Sequence, residues 1–162
     1  MQTQDSVALN PNPIPAAMSA NFVEIETRFG RVAFNTEHVI EMTHGLPGFP
    51  GRRTFGLSPL PSPRFDHFLL FQDLEDSALC FLVMPMSPDA GLIDQEDIVE
   101  ALATTGIERV DASFLLIVTL RKDPEGLVTT VNLRAPIVLD TENKVARQYV
   151  MPNGKYAIRH VV

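Results

Sequence analysis

Alternation of apolar and polar residues predicts β-strands near the start of the folded part of the chain. Residues 23–26 alternate valine and isoleucine with two glutamates, a pattern typical of a strand that buries one face. Residues 32–34 continue the alternation on the opposite phase, so we expect a tight turn or a bulge at Gly30. A further strand is predicted over residues 38–42.

Three later segments are continuous apolar runs instead of alternating ones. They comprise residues 68–71, 79–84 and 114–118, and each is bounded by turn-forming residues. Because runs of this length are too short for an ordinary helix, we interpret them as strands that are covered on both faces. They therefore predict the interior of a sheet.

The last third of the chain contains short strands separated by turns. Asp123-Pro124-Glu125-Gly126 predicts the turn of a hairpin between strands 114–120 and 128–133. Further strands are expected at residues 137–139, 145–151 and 156–162, with turns at 140–144 and 152–154. Many short strands joined by turns are typical of a mostly β fold, and we predict a small antiparallel β-barrel-like domain with one short helix.

One segment has the periodicity of a helix. Ile98, Leu102 and Thr105 belong to an apolar face with i, i+3, i+4, i+7 spacing. Asp94 is the predicted N-cap, and acidic residues follow it in the first turn, where the helix dipole favours them. Gly106 is the predicted C-cap.

The first 21 residues differ in composition from the rest. They contain one charged residue, Asp5, and three prolines between positions 10 and 15. Such a segment buries too little apolar surface to offset its ordering entropy, so we predict a disordered tail over residues 1–21 and a single domain over residues 22–162. Since no secretory signal or membrane-spanning run is present in the sequence, we expect the protein to be cytoplasmic.

The charge of the chain is negative and uneven. Thirteen Lys and Arg residues against twenty Asp and Glu residues give a formal charge of −7, which argues against direct binding of nucleic acid. Residues 65–108 hold ten acidic residues and no Lys or Arg. We interpret this acidic window either as solvated loops and helix faces or as a surface that attracts a basic protein.

The sequence lacks patterns that predict a catalytic or metal site. The single cysteine excludes an internal disulfide and a cysteine-based zinc site, and the four histidines lack the spacing of a zinc-binding helix. Neither a nucleophile elbow nor a phosphate-binding loop occurs. We therefore expect no enzymatic activity, cofactor or metal. The alternative is a small β-barrel ligand-binding domain or enzyme with a pocket at the mouth of the barrel.

A rigid loop is predicted at residues 45–51, Gly-Leu-Pro-Gly-Phe-Pro-Gly. Three glycines and two prolines fix an irregular, tightly turned backbone, and Leu46 and Phe49 are expected to attach it to the core. We interpret the loop either as purely structural or as a partly apolar surface on which a partner docks.

The first five residues of this loop resemble the Gly-Leu-Pro-Gly-Phe signature of the flagellar assembly factor family FliW. Further segments resemble that family in the order of the chain: Leu69–Asp76, Phe81–Pro85, Val118–Leu120 and Thr130–Val138. The resemblance extends over most of residues 22–151. The N-terminal tail has no counterpart in it.

This resemblance implies a non-enzymatic regulator of flagellum assembly. Proteins similar to this one bind CsrA, a basic RNA-binding translational repressor, and thereby relieve the repression of flagellin mRNA. They also bind flagellin, which competes for the factor and so couples flagellin synthesis to assembly. Because the sequence has no long apolar run and no cofactor motif, we expect no contact with a membrane and no cofactor.

We hypothesise that acidic residues attract the basic partner and that the loop adds apolar contact. The predicted partner-binding residues are Leu46, Phe49, Asp73, Glu75, Asp76, Asp94, Glu96, Asp97 and Glu100.

Overall fold

The computed structural model describes residues 21–51 and 53–162. Within these residues, strands and one α-helix follow in this order: β1 (Phe22–Thr27), β2 (Gly30–Asn35), β3 (Ile40–Met42), β4 (Thr54–Pro59), β5 (Leu69–Asp73), β6 (Cys80–Met86), α1 (Gln95–Thr105), β7 (Ala112–Asp123), β8 (Gly126–Val131), β9 (Ile137–Asp140), β10 (Val145–Gln148) and β11 (His160–Val161). Short 3₁₀ turns occupy Thr36–His38, Pro63–Phe65 and Arg109–Asp111.

Seven strands close into a barrel in the order β7-β6-β5-β4-β3-β10-β9, with β9 pairing again to β7. Every neighbouring pair is antiparallel except β3 and β10, which are parallel. A ring with an odd number of strands cannot alternate direction throughout, so closure requires one parallel pair. The predicted mostly β, barrel-like fold with one short helix is confirmed, and the parallel pair is the difference from a purely antiparallel barrel.

Alternate side chains of these strands fill the barrel interior. Phe55 and Phe71 stack at its centre, with ring centroids 4.4 Å apart. The interior residues are Ile40, Met42, Leu46, Phe55, Phe71, Val83, Leu115, Ile137, Leu139 and Ala146. The lumen is therefore a packed core, as is usual for small barrels.

Two elements cover the outer face of the barrel. The β1–β2 hairpin packs Val32 and Phe34 against Leu70 of β5. Helix α1 packs Ile98 and Leu102 against outward-facing side chains of β6, β7 and β9. Both faces of the apolar runs are therefore covered over part of their length: Leu82 and Val83 are buried, whereas Leu79–Phe81 are half-buried. No helix in the described part of the chain is long and apolar enough to cross a membrane.

The turn between β1 and β2 explains the change of phase at Gly30. Thr27 pairs with Gly30, which leaves a two-residue turn, and Gly30 has a φ of 108° that glycine adopts readily. Oγ1 of Thr27 donates a hydrogen bond to the carbonyl oxygen of Gly30 (2.6 Å) and accepts one from the amide of Phe29 (3.1 Å). The predicted tight turn is confirmed.

Strand β4 has no counterpart among the predicted strands. Its sequence contains glycine and proline, which are both disfavoured in strands. The structure explains Gly56, because a Cβ atom at this position would lie 2.4 Å from Cδ1 of Phe34. The β1–β2 hairpin can approach the barrel closely only because residue 56 has no side chain.

Three predicted strands are shorter in the structure, and one of them, β10, ends at Gln148 instead of residue 151. Strand β3 begins at Ile40, because Asn35 caps the preceding 3₁₀ turn by accepting a hydrogen bond from the amide of Glu37 (2.9 Å). Of the segment 156–162, only His160–Val161 pairs with β8. Before this short strand, the side chains of Lys155 and Tyr156 contact Asp97 of helix α1, and the carbonyl oxygen of Ala157 accepts a hydrogen bond from the amide of Leu133 (3.1 Å).

The predicted N-terminal tail lies, apart from Asn21, outside the described residues. The carbonyl oxygen of Asn21 accepts a hydrogen bond from the amide of Thr36 (2.8 Å). Nδ2 of Asn21 also donates to Oε1 of Glu37 (3.2 Å). Asn21 is therefore attached to the domain, one residue before its predicted start.

Candidate protein-binding surfaces

The outward face of helix α1 carries two of the predicted acidic residues, Glu96 and Glu100. Both are exposed, and their spacing of four residues places them on the same side of the helix. Neither forms an ion pair with another residue of the described ranges. Two like charges at this spacing destabilise an isolated helix by about 0.2–0.5 kcal/mol. A cationic partner relieves this repulsion.

An apolar strip that the sequence analysis missed lies beside these acids. Val99 is 58% exposed, and Ala103 is exposed one turn later. The sequence contained a signal for them, because both positions fall outside the buried face that includes Ile98 and Leu102. We name this surface the helix face, and it consists of Glu96, Val99, Glu100 and Ala103.

Asp97 lies on the other side of the helix and is buried, with 6% of its surface exposed. Its carboxylate accepts hydrogen bonds from the Tyr156 hydroxyl, from Nζ of Lys155 (3.2 Å) and from Nδ2 of Asn153 (3.0 Å). Lys155 also pairs with Asp94 at 3.2 Å. The assignment of Asp97 as a partner-binding residue is therefore corrected, since its carboxylate attaches the C-terminal segment to the helix.

The contacts in this cluster shift the pKa values of its members. The hydrogen bond from Tyr156, aided by Lys155, lowers the pKa of Asp97 despite its burial. Hydrogen bonds to Asp97 and Asp94 raise the pKa of Lys155. Burial, together with the hydrogen bond to Asp97, raises the pKa of Tyr156. All three shifts favour the protonation states that exist at neutral pH.

Replacement of Asp97 by asparagine is expected to lower the melting temperature at neutral pH. A carboxylate whose pKa is lowered by folding stabilises the folded state above its unfolded-state pKa of about 3.9, and this contribution is lost as the pH falls through the folded-state pKa. The difference in melting temperature between the wild type and Asp97→Asn should therefore narrow below about pH 4.

At alkaline pH, the stability that these groups contribute changes with pH in the opposite direction. Because folding raises the pKa values of Lys155 and Tyr156, their contribution is present at lower pH and is lost as the pH rises through these raised values, above about pH 10. Thermal unfolding followed by circular dichroism from about pH 3 to about pH 11 tests both limbs. A difference between the wild type and Asp97→Asn that stayed constant over this range would contradict the assignment.

Glu75 and Asp76 lie in the turn between β5 and β6, which Asp73 organises. Asp73 is 1% exposed, and its Oδ1 accepts hydrogen bonds from the amides of Glu75 (2.7 Å) and Asp76 (2.9 Å). Nε2 of the buried Gln72 donates to the carbonyl oxygens of Asp73 (2.9 Å) and Leu79 (3.1 Å) across the same turn. Asp73 is therefore corrected to a structural residue, whereas Glu75 remains exposed.

The glycine-rich loop between β3 and β4 covers one end of the barrel. Leu46 is 3% exposed and enters the barrel interior. The amide of Phe49 donates to the carbonyl oxygen of Leu46 (2.7 Å), and Gly48 has a φ of 86°, as expected for a type II turn with proline before glycine. Gly45 has a φ of 65°, and a Cβ atom there would lie 2.6 Å from the carbonyl oxygen of Pro50.

Phe49 points to the surface and is 43% exposed. Its ring lies edge-on to Phe81 of β6, with centroids 6.5 Å apart. The β5–β6 turn lies at the same end of the barrel, since the amide of Leu74 donates to the carbonyl oxygen of Thr54 at the start of β4 (3.1 Å). Of the two predicted apolar contacts, Leu46 is therefore buried and corrected to a core residue. We name the surface at this end the rim, and it consists of exposed Phe49 and Glu75 and half-buried Asp76.

Comparison with known proteins places this architecture in a family. The family model described as FliW protein matches residues 24–162. The chain belongs to the FliW family.

Individual FliW proteins are similar to this chain over most of its length. A flagellar assembly factor FliW from Geotalea uraniireducens (strain Rf4) is 36% identical over 135 residues, which cover 83% of this chain and 80% of that protein. Another from Bdellovibrio bacteriovorus is 34% identical over 139 residues, which cover 84% of this chain and 76% of that protein. The family that the sequence resembled is therefore confirmed.

A solved FliW structure shares the fold. The crystal structure of the flagellar assembly factor FliW matches with a TM-score of 0.65 and 26% identity, covering 86% of this chain and 96% of that chain. These relatives and the solved structure are described as flagellar assembly factors.

In this FliW chain, the acidic window of residues 65–108 does not form one surface. The rim lies where β5 turns into β6, whereas α1 belongs to the connection that leaves β6 from the opposite end of the barrel. Bases from outside the window also neutralise part of it, because Arg109 pairs with Asp89 and Lys155 pairs with Asp94. Within residues 21–51 and 53–162, no cluster of three or more His, Cys, Asp or Glu side chains could hold a metal ion.

Proposed function

We propose that this FliW protein is an anti-CsrA factor that also binds flagellin. Binding to CsrA in the cytoplasm relieves repression of flagellin mRNA, and binding to flagellin couples flagellin synthesis to assembly. The protein acts by binding its partners and not by catalysis. The observation that carries the proposal is the helix face, where two acids without ion pairs among the described residues flank exposed Val99.

The helix face suits a basic partner for two physical reasons. The like charges of Glu96 and Glu100 repel each other in the free protein, so a cationic surface gains their attraction and removes their repulsion. Long-range attraction of this kind mainly raises the association rate, whereas buried apolar contacts hold the complex together. In this scheme Val99 supplies the apolar contact.

The rim is the second proposed contact surface. It combines Phe49 with Glu75 and Asp76, so it also pairs an exposed apolar group with acids. CsrA and flagellin either bind to overlapping sites or bind to separate sites whose binding free energies are coupled. Competition requires only that each partner weakens the binding of the other.

A competition experiment tests the proposal. CsrA is first bound to a fluorescent flagellin leader RNA, and the purified full chain is then added with and without flagellin. The chain should release RNA from CsrA, and an excess of flagellin should restore the CsrA–RNA complex. A ternary complex of this protein, CsrA and flagellin that survives size-exclusion chromatography would contradict competition.

A further inference from the structure

The pairing of β6 with β7 ends well before either strand does. The last pair is Val83 with Ile117. Within the described residues, β7 then continues to Asp123 paired with β8 alone, and β6 extends back to Cys80 paired with β5 alone. The two strands diverge and leave between them a cleft of about 470 Å³.

Backbone groups of β7 face this cleft. In an antiparallel pair, successive residues direct their N–H and C=O groups to opposite sides of the strand. The carbonyl oxygen of Ile117 accepts a hydrogen bond from the amide of Asn132 (2.9 Å), so the odd-numbered residues beyond it hydrogen-bond to β8. The backbone groups of Leu120 and Lys122 therefore face away from β8, towards the cleft.

The same alternation applies to β6. The carbonyl oxygen of Leu79 accepts the amide of Asp73 (2.9 Å), so odd-numbered positions here hydrogen-bond to β5. The backbone groups of Cys80 therefore face the cleft from the other side. Two strand edges facing each other in this way are a template for an added strand.

The walls of the cleft are apolar and its surroundings are basic. Phe29 and Leu82 line it, together with Arg28 from the β1–β2 turn. Arg121 and Lys122 follow directly on β7. These three bases are exposed, and none forms an ion pair within the described residues. Their charge is opposite to the net charge of the chain and to that of the helix face.

We propose that this cleft, formed by Cys80–Leu82 and Ile117–Leu120, binds an extended, acidic peptide segment of a partner protein by strand addition. Backbone groups of the segment hydrogen-bond to the two facing edges. Its acidic side chains pair with the bases around the cleft, and its intervening apolar side chains contact Phe29 and Leu82. This site has the opposite charge preference to the helix face, so it does not depend on the proposed binding of CsrA.

A synthetic peptide of about nine residues in which glutamate alternates with valine is the probe. Cys80 is the single cysteine of the chain and lines the cleft, so its alkylation rate measures occupancy. The peptide should slow alkylation saturably, by about tenfold at saturation, and should protect the amide of Leu120 from hydrogen exchange. A peptide of the same length in which lysine replaces glutamate should do neither.

Variants of the protein and of the peptide separate the contribution of charge to peptide binding from the contribution of backbone hydrogen bonds. Arg121→Glu combined with Lys122→Glu should weaken peptide binding by about tenfold. The matched control, Arg64→Glu with Arg134→Glu, makes the same charge change at exposed positions that are not adjacent in the chain to any cleft-lining residue, and it should leave binding unchanged. N-methylation of alternate backbone amides of the peptide along one edge should abolish binding.

Three results would overturn the proposal. The first is undiminished Cys80 reactivity in saturating acidic peptide. The second is equal binding of the N-methylated or lysine-containing peptide. The third is a peptide that protects the amides of β11, the terminal strand of this sheet, from hydrogen exchange and does not protect the amide of Leu120.

Discussion

Replacement of both glutamates of the helix face by lysine, Glu96→Lys with Glu100→Lys, is expected to slow association with CsrA by about 10- to 100-fold at low ionic strength. The reason is that the change turns an attractive field into a repulsive one at the site of contact. Stopped-flow association kinetics measure the effect. It should shrink as salt is raised, since the screening length falls to about 8 Å at physiological ionic strength.

The matched control is Glu24→Lys with Glu142→Lys. Both residues are exposed and lie outside the helix face, on β1 and in the turn between β9 and β10, and the change in net charge is the same. This variant should associate with CsrA at nearly the wild-type rate. If it slowed association as much as the helix-face variant does, the net charge of the protein, and not the helix face, would be responsible.

Replacement of Leu46 by alanine is expected to lower the free energy of unfolding by about 2–5 kcal/mol, because it leaves a cavity in the barrel interior. This is a large part of the stability of about 5–15 kcal/mol that is typical of a domain. Phe49→Ala should cost only about 0.5–1.5 kcal/mol, which is the contribution of its edge-on contact with Phe81. Urea unfolding measures both values.

The same two variants separate stability from binding. Phe49→Ala should weaken partner binding by about tenfold or more if Phe49 anchors a partner at the rim, since an anchoring aromatic side chain commonly contributes more than 1 kcal/mol. Folded Leu46→Ala protein should bind with an affinity closer to the wild type. Wild-type affinity of Phe49→Ala for both CsrA and flagellin would show that the loop is purely structural.

Elements with strong local patterns could be predicted from the sequence. The runs at residues 68–71, 79–84 and 114–118 became β5, β6 and β7, because continuous apolar residues require burial on both faces. Helix α1 lies between its predicted caps, Asp94 and Gly106. It ends at Gly106, because this residue adopts the left-handed conformation with a φ of 72°. These features depend on residues close together in the chain.

Burial of individual acids could not be predicted in this way. Asp97 and Glu96 are neighbours in the acidic first turn of α1, yet only Asp97 is buried, because Tyr156 reaches it from 59 residues away in the chain. Asp73 is buried because its carboxylate holds the amides of the turn that follows. The acidic window therefore predicted a larger acidic surface than the structure has.

Closure of the barrel also depends on contacts that are distant in the chain. The parallel pairing of β3 with β10 joins Glu41 to Val145, and no local pattern specifies it. The short strand β4 depends in the same way on Gly56, whose lack of a side chain matters only because Phe34 packs against it. Only the assembled fold explains these two features.

Titration of labelled CsrA with the purified full chain at low ionic strength tests the central claim most directly. Our account predicts a saturable complex that weakens as salt is raised and that excludes flagellin leader RNA from CsrA. The central claim would be contradicted if the chain is folded, as judged by its circular dichroism, but forms no complex with CsrA even at low ionic strength.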